Sequence, residues 1–291
     1  MKQGRIDSLI FGILVYIGFS CATVQDRQAG RSVTDDLGRA ITVRETSRIL
    51  SLTPSVTELI ATFVEKERII GRTLYDSVPA WLLDKPLINN YPIDFEKILT
   101  LSPDLILAKE GMISADDVAK LEGLGFPVYM QRIDSPEDIP ESARRLGALL
   151  DREERAGIIA DSLENAIAEV RRPEHIQRPS VLLLISEEPI FAYGLNSYAS
   201  DMIYAAGGRN AVDALYDNPF PTLQREYLLK IDPDVIIGVD SSAMLRLYPE
   251  LSGLKSFRSG RVYTMNMELV SKPGPRVAEG VKAINRLLYA N

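Results

Sequence analysis

Nucleophilic and metal-ligating side chains are scarce in this sequence. Cys21 is its single cysteine and His175 is its single histidine. Serine–histidine triads and multi-histidine zinc sites need a histidine near the end of a strand, whereas His175 lies in a polar stretch. Outside Cys21 the chain has no thiol, so disulfides and thiol catalysis are excluded. The sequence therefore predicts neither an enzyme nor a metal site built by the protein itself.

Two glutamates occupy equivalent positions in an internal repeat. Residues 95–107 align without a gap on residues 225–237, and Glu96 and Glu226 each stand seven residues before a Pro-Asp pair. Each copy consists of a short helical pattern, the Pro-Asp break and a continuous apolar run typical of a strand buried on both faces of a parallel sheet. The offset of 130 residues, from 96 to 226, is far longer than a solenoid period. The repeat therefore predicts two similar α/β lobes.

Further elements are predicted around the two copies. Residues 48–60 are typical of a strand, a turn and a helix, with a hydroxyl residue as N-cap candidate and Glu58 at the capping-box spacing. Residues 127–130 and 261–264 are strand candidates downstream of each copy. These elements must position the candidate functional side chains of each lobe.

A helical pattern without strand signals separates the lobes. Ser135-Pro136 is typical of a helix start, and apolar residues then recur at helical spacing as far as Val170. A continuous helix over residues 135–172 would be a rod of roughly 45 to 50 Å, although Asp151 could divide it into two. We therefore predict an α/β fold with two Rossmann-like lobes, residues 40–134 and 173–291, whose parallel sheets are joined by a long backbone helix.

The N-terminus is typical of an exported protein. Lys2 and Arg5 precede an apolar run over residues 9–19 that ends at Ser20-Cys21, and this run is too short to span a bilayer comfortably. We expect a signal peptide at residues 1–20, with Cys21 placed where a bacterial lipoprotein signal carries the lipidated residue. Residues 21–39 would form the tether. A plain N-terminal anchor helix is the alternative, and both place the rest of the chain outside the cytoplasm.

Composition and charge exclude other classes. The 46% of hydrophobic residues and 25% of charged residues are ordinary values for a globular protein. The formal net charge is −7 and no long basic run is present, which argues against a nucleic-acid partner.

These features resemble the class III periplasmic binding proteins, which receive cobalamin, haem and ferric siderophores for ABC importers. The resemblance covers residues 40–291 and rests on six motifs in the family's order. They are 48–58, Ile70-Gly71, 96–107, 205–211, 226–237 and 273–276. It implies a fold of the helical-backbone metal receptor type, a ligand in the cleft between the lobes, no intrinsic cofactor and a monomer.

By the same resemblance, Glu96 and Glu226 would dock on arginines of the membrane permease of an ABC permease and ATPase complex. Their equivalent positions suit a pseudo-symmetric partner of a two-fold symmetric permease. The residues alone leave another role open, because a glutamate in the first turn of a helix is also favoured by the helix dipole.

The resemblance also implies which residues line the cleft. In cobalamin-binding relatives, aromatic residues from five loops surround the corrin, although any such aromatic could instead be a packing residue. The implied ligand-binding residues here are Tyr75, Tyr91, Lys109, Phe191, Phe220 and Glu268. Lys109 replaces an aromatic residue, while Arg276 is expected to open the C-terminal helix in a structural ion pair.

The expected ligand is a metal chelate, because the chain lacks the histidine clusters that bind bare zinc or manganese. A cobalamin or other corrinoid is favoured, and a ferric siderophore or haem is the alternative, since Lys109-Glu110 adds charge to the cleft. A metallocluster enzyme subunit of similar architecture would require several cysteines. A receptor that uses the same cleft without a permease stays open.

Overall fold

The structure is a computed structural model that describes residues 30–171, 177–214, 216 and 218–289. The predicted signal peptide, Cys21 and His175 lie outside the described residues. None of the helices in the described part of the chain combines the length and the hydrophobicity that a membrane-spanning helix needs.

The N-terminal lobe contains a hairpin, a three-stranded parallel sheet and short helices. The hairpin strands are β1 (Arg31–Thr34) and β2 (Ala40–Val43), which pair antiparallel. The sheet has the order β3-β4-β5, with β3 (Ile49–Ser51), β4 (Leu105–Lys109) and β5 (Val128–Gln131). The helices are α1 (Pro54–Ile60), α2 (Phe95–Leu101) and α3 (Ala115–Gly123), with a 3-10 helix at Ala80–Asp84.

Two helices, α4 (Asp138–Leu149) and α5 (Glu153–Ala168), follow the first lobe. They pack antiparallel, because Arg144 on α4 pairs with Asp161 and Glu164 on α5 at 2.7 Å each. Asp151 has a left-handed backbone with φ of 56° and ends the first helix. A single rod over residues 135–172 is therefore wrong, and the interruption at Asp151 is present. The segment that reaches the second lobe is the 16-residue α5, roughly 24 Å long.

The C-terminal lobe contains a five-stranded sheet with the order β10-β9-β6-β7, and β8 also pairs with β6. Its strands are β6 (Ser180–Ser186), β7 (Phe191–Ala192), β8 (Arg209–Asn210), β9 (Val235–Ile237) and β10 (Val262–Tyr263); only β7 pairs antiparallel. Its helices are α6 (Tyr198–Ala205), α7 (Arg225–Ile231), α8 (Ser241–Leu247), α9 (Lys255–Arg258), α10 (Glu268–Ser271) and α11 (Val277–Tyr289), with a 3-10 helix at Pro249–Gly253.

The predicted repeat is confirmed as α2-β4 and α7-β9. Each helix ends at a left-handed residue, Ser102 with φ of 45° and Asp232 with φ of 40°, and the proline that follows cannot continue the helix. The aspartate after the proline accepts a hydrogen bond from the start of the neighbouring strand, β3 or β6. Asp104 accepts from the amide of Arg48, and Asp234 from the amide of Ser180, both at 2.9 Å. The Pro-Asp pair is thus a structural joint between helix and sheet.

Residues 31–39, expected to belong to the tether, are part of the fold. The turn of the hairpin lies along the open edge of β5, where the Asp35 carboxylate accepts from the amide of Met130 at 3.2 Å and the Asp36 carboxylate from that of Arg132 at 3.0 Å. Arg39 donates to the carbonyl of Val128 at 2.8 Å. The polar side chains that suggested a solvated tether instead make hydrogen bonds to the backbone of the edge strand β5 and cover it.

The hydrophobic core is continuous between the lobes. One cluster of buried residues runs from β3 and α1 through α4 and α5 to β6, α6 and α11, while two smaller clusters lie within the single lobes. Lobes that share a core have less freedom to swing than domains joined by a flexible linker. The placement of one lobe against the other is therefore held by packing as well as by the connecting chain.

Candidate functional site

The cleft face of each lobe is the face where its parallel strands end. Ligands of open α/β sheets bind outside the carboxyl ends of the strands. Lys109 is the last residue of β4, Phe191 follows the end of β6, and Glu268 begins α10 after β10. The helices α2 and α7 precede their strands β4 and β9, so their first turns, with Glu96 and Glu226, lie at this same end of the sheets.

Three aromatic side chains of the predicted set are strongly exposed. The exposed fraction is 65% for Tyr75, 89% for Tyr91 and 46% for Phe220. Contiguous exposed apolar patches mark interaction sites, whereas single exposed rings are common on protein surfaces. Their exposure leaves these three rings accessible to a ligand, whereas Phe191 is half-buried.

Phe191 and Phe220 belong to one corner of the C-terminal lobe. The backbones of residues 190–194 and 219–223 are joined by hydrogen bonds from Ala192 to Pro221, Gly194 to Pro219 and Leu223 to Ile190, at 2.8 to 3.0 Å. The Phe220 ring meets the ring of Tyr193 edge to face, with centroids 5.8 Å apart. Tyr193 was not predicted as a site residue, although it stands next to Gly194 in the same turn.

The corresponding wall of the N-terminal lobe is charged. The amide of Lys109 donates to Thr53 Oγ1 at 3.0 Å, and burial lowers the pKa of the Lys109 ammonium, against the opposing charges of Asp134 and Glu110. Arg132 follows β5 and holds Glu110 in a bidentate pair at 2.6 and 3.0 Å. The Arg132 pair lowers the pKa of Glu110. The replacement of an aromatic residue by Lys109 is thus part of a wider charged surface.

The two predicted docking glutamates are both exposed, but their surroundings differ. Glu96 follows the N-cap Asp94, which accepts from the amide of Lys97 at 3.0 Å. Glu226 accepts a hydrogen bond from Arg225 Nε at 3.0 Å, and this bond lowers the pKa of its carboxyl. Arg225 also lies 3.5 Å from Glu250.

A set of ion pairs joins the lobes beside the cleft. Arg276, immediately before α11, donates from Nε to Glu58 on α1 at 2.6 Å. The predicted structural ion pair of Arg276 is therefore confirmed. The capping-box role of Glu58 is wrong, because α1 begins after Thr53, whose side chain makes no capping bond, and the Glu58 carboxylate faces the other lobe instead.

Glu268 belongs to the same set. Its carboxylate accepts from Lys272 Nζ at 2.9 Å and lies 3.5 Å from Arg276, and the Lys272 hydrogen bond lowers its pKa. Lys272 Nζ also lies 3.4 Å from the carbonyl oxygen of Tyr75 in the other lobe. Sequence reasoning missed Lys272, although its spacing of four residues from Glu268 on a helical pattern is a readable signal.

The acidic residues do not form a metal centre in the described part of the chain, where no group of three or more histidine, cysteine, aspartate or glutamate residues could hold a metal ion. Exposed rings, one partly buried ammonium and paired charges lie on loops at the carboxyl ends of the strands of both lobes. Chemically, these groups can bind a sizeable ligand through stacking and charge complementarity.

Comparisons with known proteins bear on the family and the fold of the chain. Residues 49–269 match the family model described as periplasmic binding protein. The chain is similar to the uncharacterized ABC transporter substrate-binding lipoprotein YvrC of Bacillus subtilis (strain 168), with 24% identity over 269 residues, 89% of this chain and 85% of YvrC.

Two solved structures share the fold. The periplasmic vitamin B12 binding protein BtuF of Vibrio cholerae has a TM-score of 0.75 and 24% identity, over 84% of this chain and 97% of BtuF. The periplasmic heme-binding protein RhuT from Roseiflexus sp. RS-1 has a TM-score of 0.72 and 24% identity, over 84% of this chain and 99% of RhuT. The α/β architecture with its parallel sheets is thus one that is known to occur in binding proteins.

Proposed function

The chain belongs to the periplasmic binding protein family, and from that premise we propose that it captures a metal chelate between its lobes as the lipid-anchored binding protein of an ABC importer. Proteins of this family bind a transported ligand; they are not enzymes and carry no intrinsic cofactor. The finer parts of the proposal concern the ligand, the docking residues and the anchor.

The observation that carries the proposal is the exposure of Tyr75, Tyr91 and Phe220 on cleft-side loops of both lobes. Exposed rings on both lobes suit a large, flat or ring-bearing ligand, because each ring leaves a face or an edge free for contact. Phe191 supports Phe220 in the corner described above. These four residues, together with Lys109 and Glu268, are the proposed ligand-binding set.

Within this class a cobalamin or other corrinoid is the favoured ligand. A corrin ring presents faces that aromatic side chains cover well, and BtuF of Vibrio cholerae, which has the same fold, is a vitamin B12 binding protein.

A ferric siderophore or haem is the alternative, and the charged wall of the N-terminal lobe favours it. The partly buried ammonium of Lys109 next to the Glu110–Arg132 pair would complement peripheral carboxylates or other anionic groups of a chelate. RhuT, with the same fold, is a heme-binding protein.

Delivery is proposed to use Glu96 and Glu226. Both are exposed in the first turn of equivalent helices at the cleft face, as docking on the two halves of a permease would require. Cys21 is the proposed lipid attachment site, which would keep the protein on the periplasmic or extracellular face of a bacterial membrane. YvrC of Bacillus subtilis is described as a lipoprotein.

The ligand class is tested by titrating the full chain, carrying Cys21→Ser, with cyanocobalamin, haem and a panel of ferric siderophores, followed by visible absorption and tyrosine fluorescence. We expect one class to bind saturably with a dissociation constant of about 1 μM or lower. The double variant Tyr75→Ala/Tyr91→Ala should weaken that binding at least about tenfold through loss of ring contacts. Tyr204→Ala, an exposed tyrosine on α6, is the matched control. No saturable response to any of these ligands would overturn the proposed class.

A further inference from the structure

Lys272 connects the two walls of the cleft. Its Nζ donates to Glu268 in its own lobe at 2.9 Å and lies 3.4 Å from the carbonyl oxygen of Tyr75 in the N-terminal lobe. The Lys272 side chain is only 19% exposed. An ammonium shared between two segments restrains both of them.

The backbone around Lys272 is held firmly against the other lobe. Gly274 approaches the start of α1 so closely that a Cβ on it would lie 3.2 Å from the carbonyl oxygen of Ser55. Two residues later, Arg276 pairs with Glu58, whose side chain is 9% exposed. Lys272 therefore projects from a fixed base, whereas the loop of Tyr75 that it meets is exposed on its outer side.

The Tyr75 loop also contains a buried carboxyl group, that of Asp76. Asp76 is 2% exposed, and one of its carboxylate oxygens accepts from the amide of Thr73 at 2.5 Å. Burial raises the pKa of Asp76, while the positive charge of Lys272 opposes that rise. The loop that Lys272 meets is thus held from within by the hydrogen bond between Thr73 and Asp76.

We propose that Lys272 is a positioning residue for ligand capture, which holds the loop of Tyr75 against the C-terminal lobe and so sets the place of the Tyr75 ring in the cleft. The effect on binding rests on the proposed function, because Tyr75 is a proposed ligand residue. The restraint on the loop does not depend on it. The interlobe angle itself is held by the Arg276–Glu58 pair and the shared core.

The restraint can be measured without a ligand, since Cys21 is the single cysteine and Cys21→Ser leaves a background for site-specific spin labels. Labels at Ser77→Cys and Lys230→Cys report the distance from the loop to α7. Labels at Thr100→Cys and Lys230→Cys, equivalent exposed positions on α2 and α7, report the distance between the lobes. Lys272→Met keeps most of the side-chain volume but removes the charge and the donors.

We expect Lys272→Met to broaden the loop distance distribution at least about twofold, because the hydrogen bonds to both segments are lost. The lobe distance should stay the same, and Lys272→Arg should restore a narrow loop distribution. Lys282→Met is the matched control, because it removes another lysine–glutamate pair, Lys282 to Glu169 at 2.6 Å, away from the Tyr75 loop. An unchanged loop distribution in Lys272→Met, or an equal broadening in Lys282→Met, overturns the proposal.

Binding supplies the second measurement. With cyanocobalamin, haem and the panel of ferric siderophores as probes, Lys272→Met should weaken whichever one binds by about tenfold, while Lys282→Met leaves the affinity unchanged. Binding that survives Lys272→Met intact would contradict the role in capture. Failure of the unchanged chain to bind any probe would instead count against the proposed function, and the spin-label distances would still decide the restraint.

Discussion

The two lobes repeat one helix-joint-strand unit, yet they differ at the residues that face the cleft. In the N-terminal lobe, β4 continues to Lys109, and Glu110 pairs with Arg132. In the C-terminal lobe the strand stops at Ile237, and Asp240, which is equivalent to Glu110, caps α8 by accepting from the amide of Ala243 at 2.8 Å. The order of helix and strand is therefore the same in both lobes, whereas the side chains that follow each strand make different contacts.

The helices that carry the two proposed docking glutamates show the same contrast. The position before the glutamate is Arg225 in α7, where it binds Glu226, and Phe95 in α2, where the ring lies 3.7 Å from Lys120 Nζ. A symmetric backbone thus presents one glutamate that is hydrogen-bonded to the arginine before it, and one that follows an aromatic residue. A permease that contacts both would meet two unequal surfaces.

The largest effect is expected on the free energy of unfolding, at the position where β4 and β9 cease to be alike. Gly238 is equivalent to the buried Ala108, but it has φ of 107°, and a Cβ would overlap the carbonyl oxygen of Leu184. Gly238→Ala should lower the free energy of unfolding by about 3 kcal/mol, through backbone strain and overlap. The reverse change, Ala108→Gly, should cost only about 1 kcal/mol. Urea unfolding of both variants measures the difference, and equal losses would show that the strand ends are equivalent after all.

The docking proposal is tested by charge reversal. Glu96→Lys together with Glu226→Lys should reduce uptake of the transported chelate by about a hundredfold, because two attractive contacts with the permease become repulsive. Ligand affinity should be unchanged, since both side chains lie outside the proposed ligand-binding set. Glu153→Lys together with Glu154→Lys on α5 is the control of equal charge change. Normal uptake by the docking variant would remove Glu96 and Glu226 from delivery.

The smallest expected effect is a change in the pKa of Glu226, one of the two proposed docking glutamates. Because the hydrogen bond from Arg225 lowers the pKa of Glu226, the change Arg225→Phe, which copies Phe95, should raise that pKa toward its usual value. The stabilisation from this pair is present above the unfolded pKa of glutamate and is lost as the pH falls through the lowered folded value. Carboxyl NMR of Glu226 measures the shift. An identical titration curve in Arg225→Phe would mean that the pair does not persist in solution.

The sequence predicted the parts that depend on local patterns. The repeat, the Pro-Asp joints and the strands at residues 128–131 and 262–263 follow from short apolar runs and helix-ending residues. The role of Arg276 followed from its place before a helix. Exposure on the cleft side was expected for Tyr75 and Phe220 through the family, and their contact with a ligand stays a proposal.

What the sequence could not provide are contacts between distant segments. Asp35 meets Met130 across 95 positions, and Lys272 meets Tyr75 across 197. Such pairs leave no periodic signal, so the polar residues 31–39 suggested a tether and Lys272 went unnoticed. The division at Asp151 depends on a left-handed backbone that aspartate only sometimes adopts.

The hairpin also determines where the chain leaves the folded part. Arg31 donates to the carbonyls of Ala148 and Leu149 and pairs with Asp151, at the end of α4 that lies away from the strand ends. With Cys21 anchored as proposed, the membrane attachment would enter the protein on the side opposite to the proposed docking face. The number of residues between Cys21 and the hairpin would then govern how easily an anchored molecule turns that face toward a permease in the same membrane.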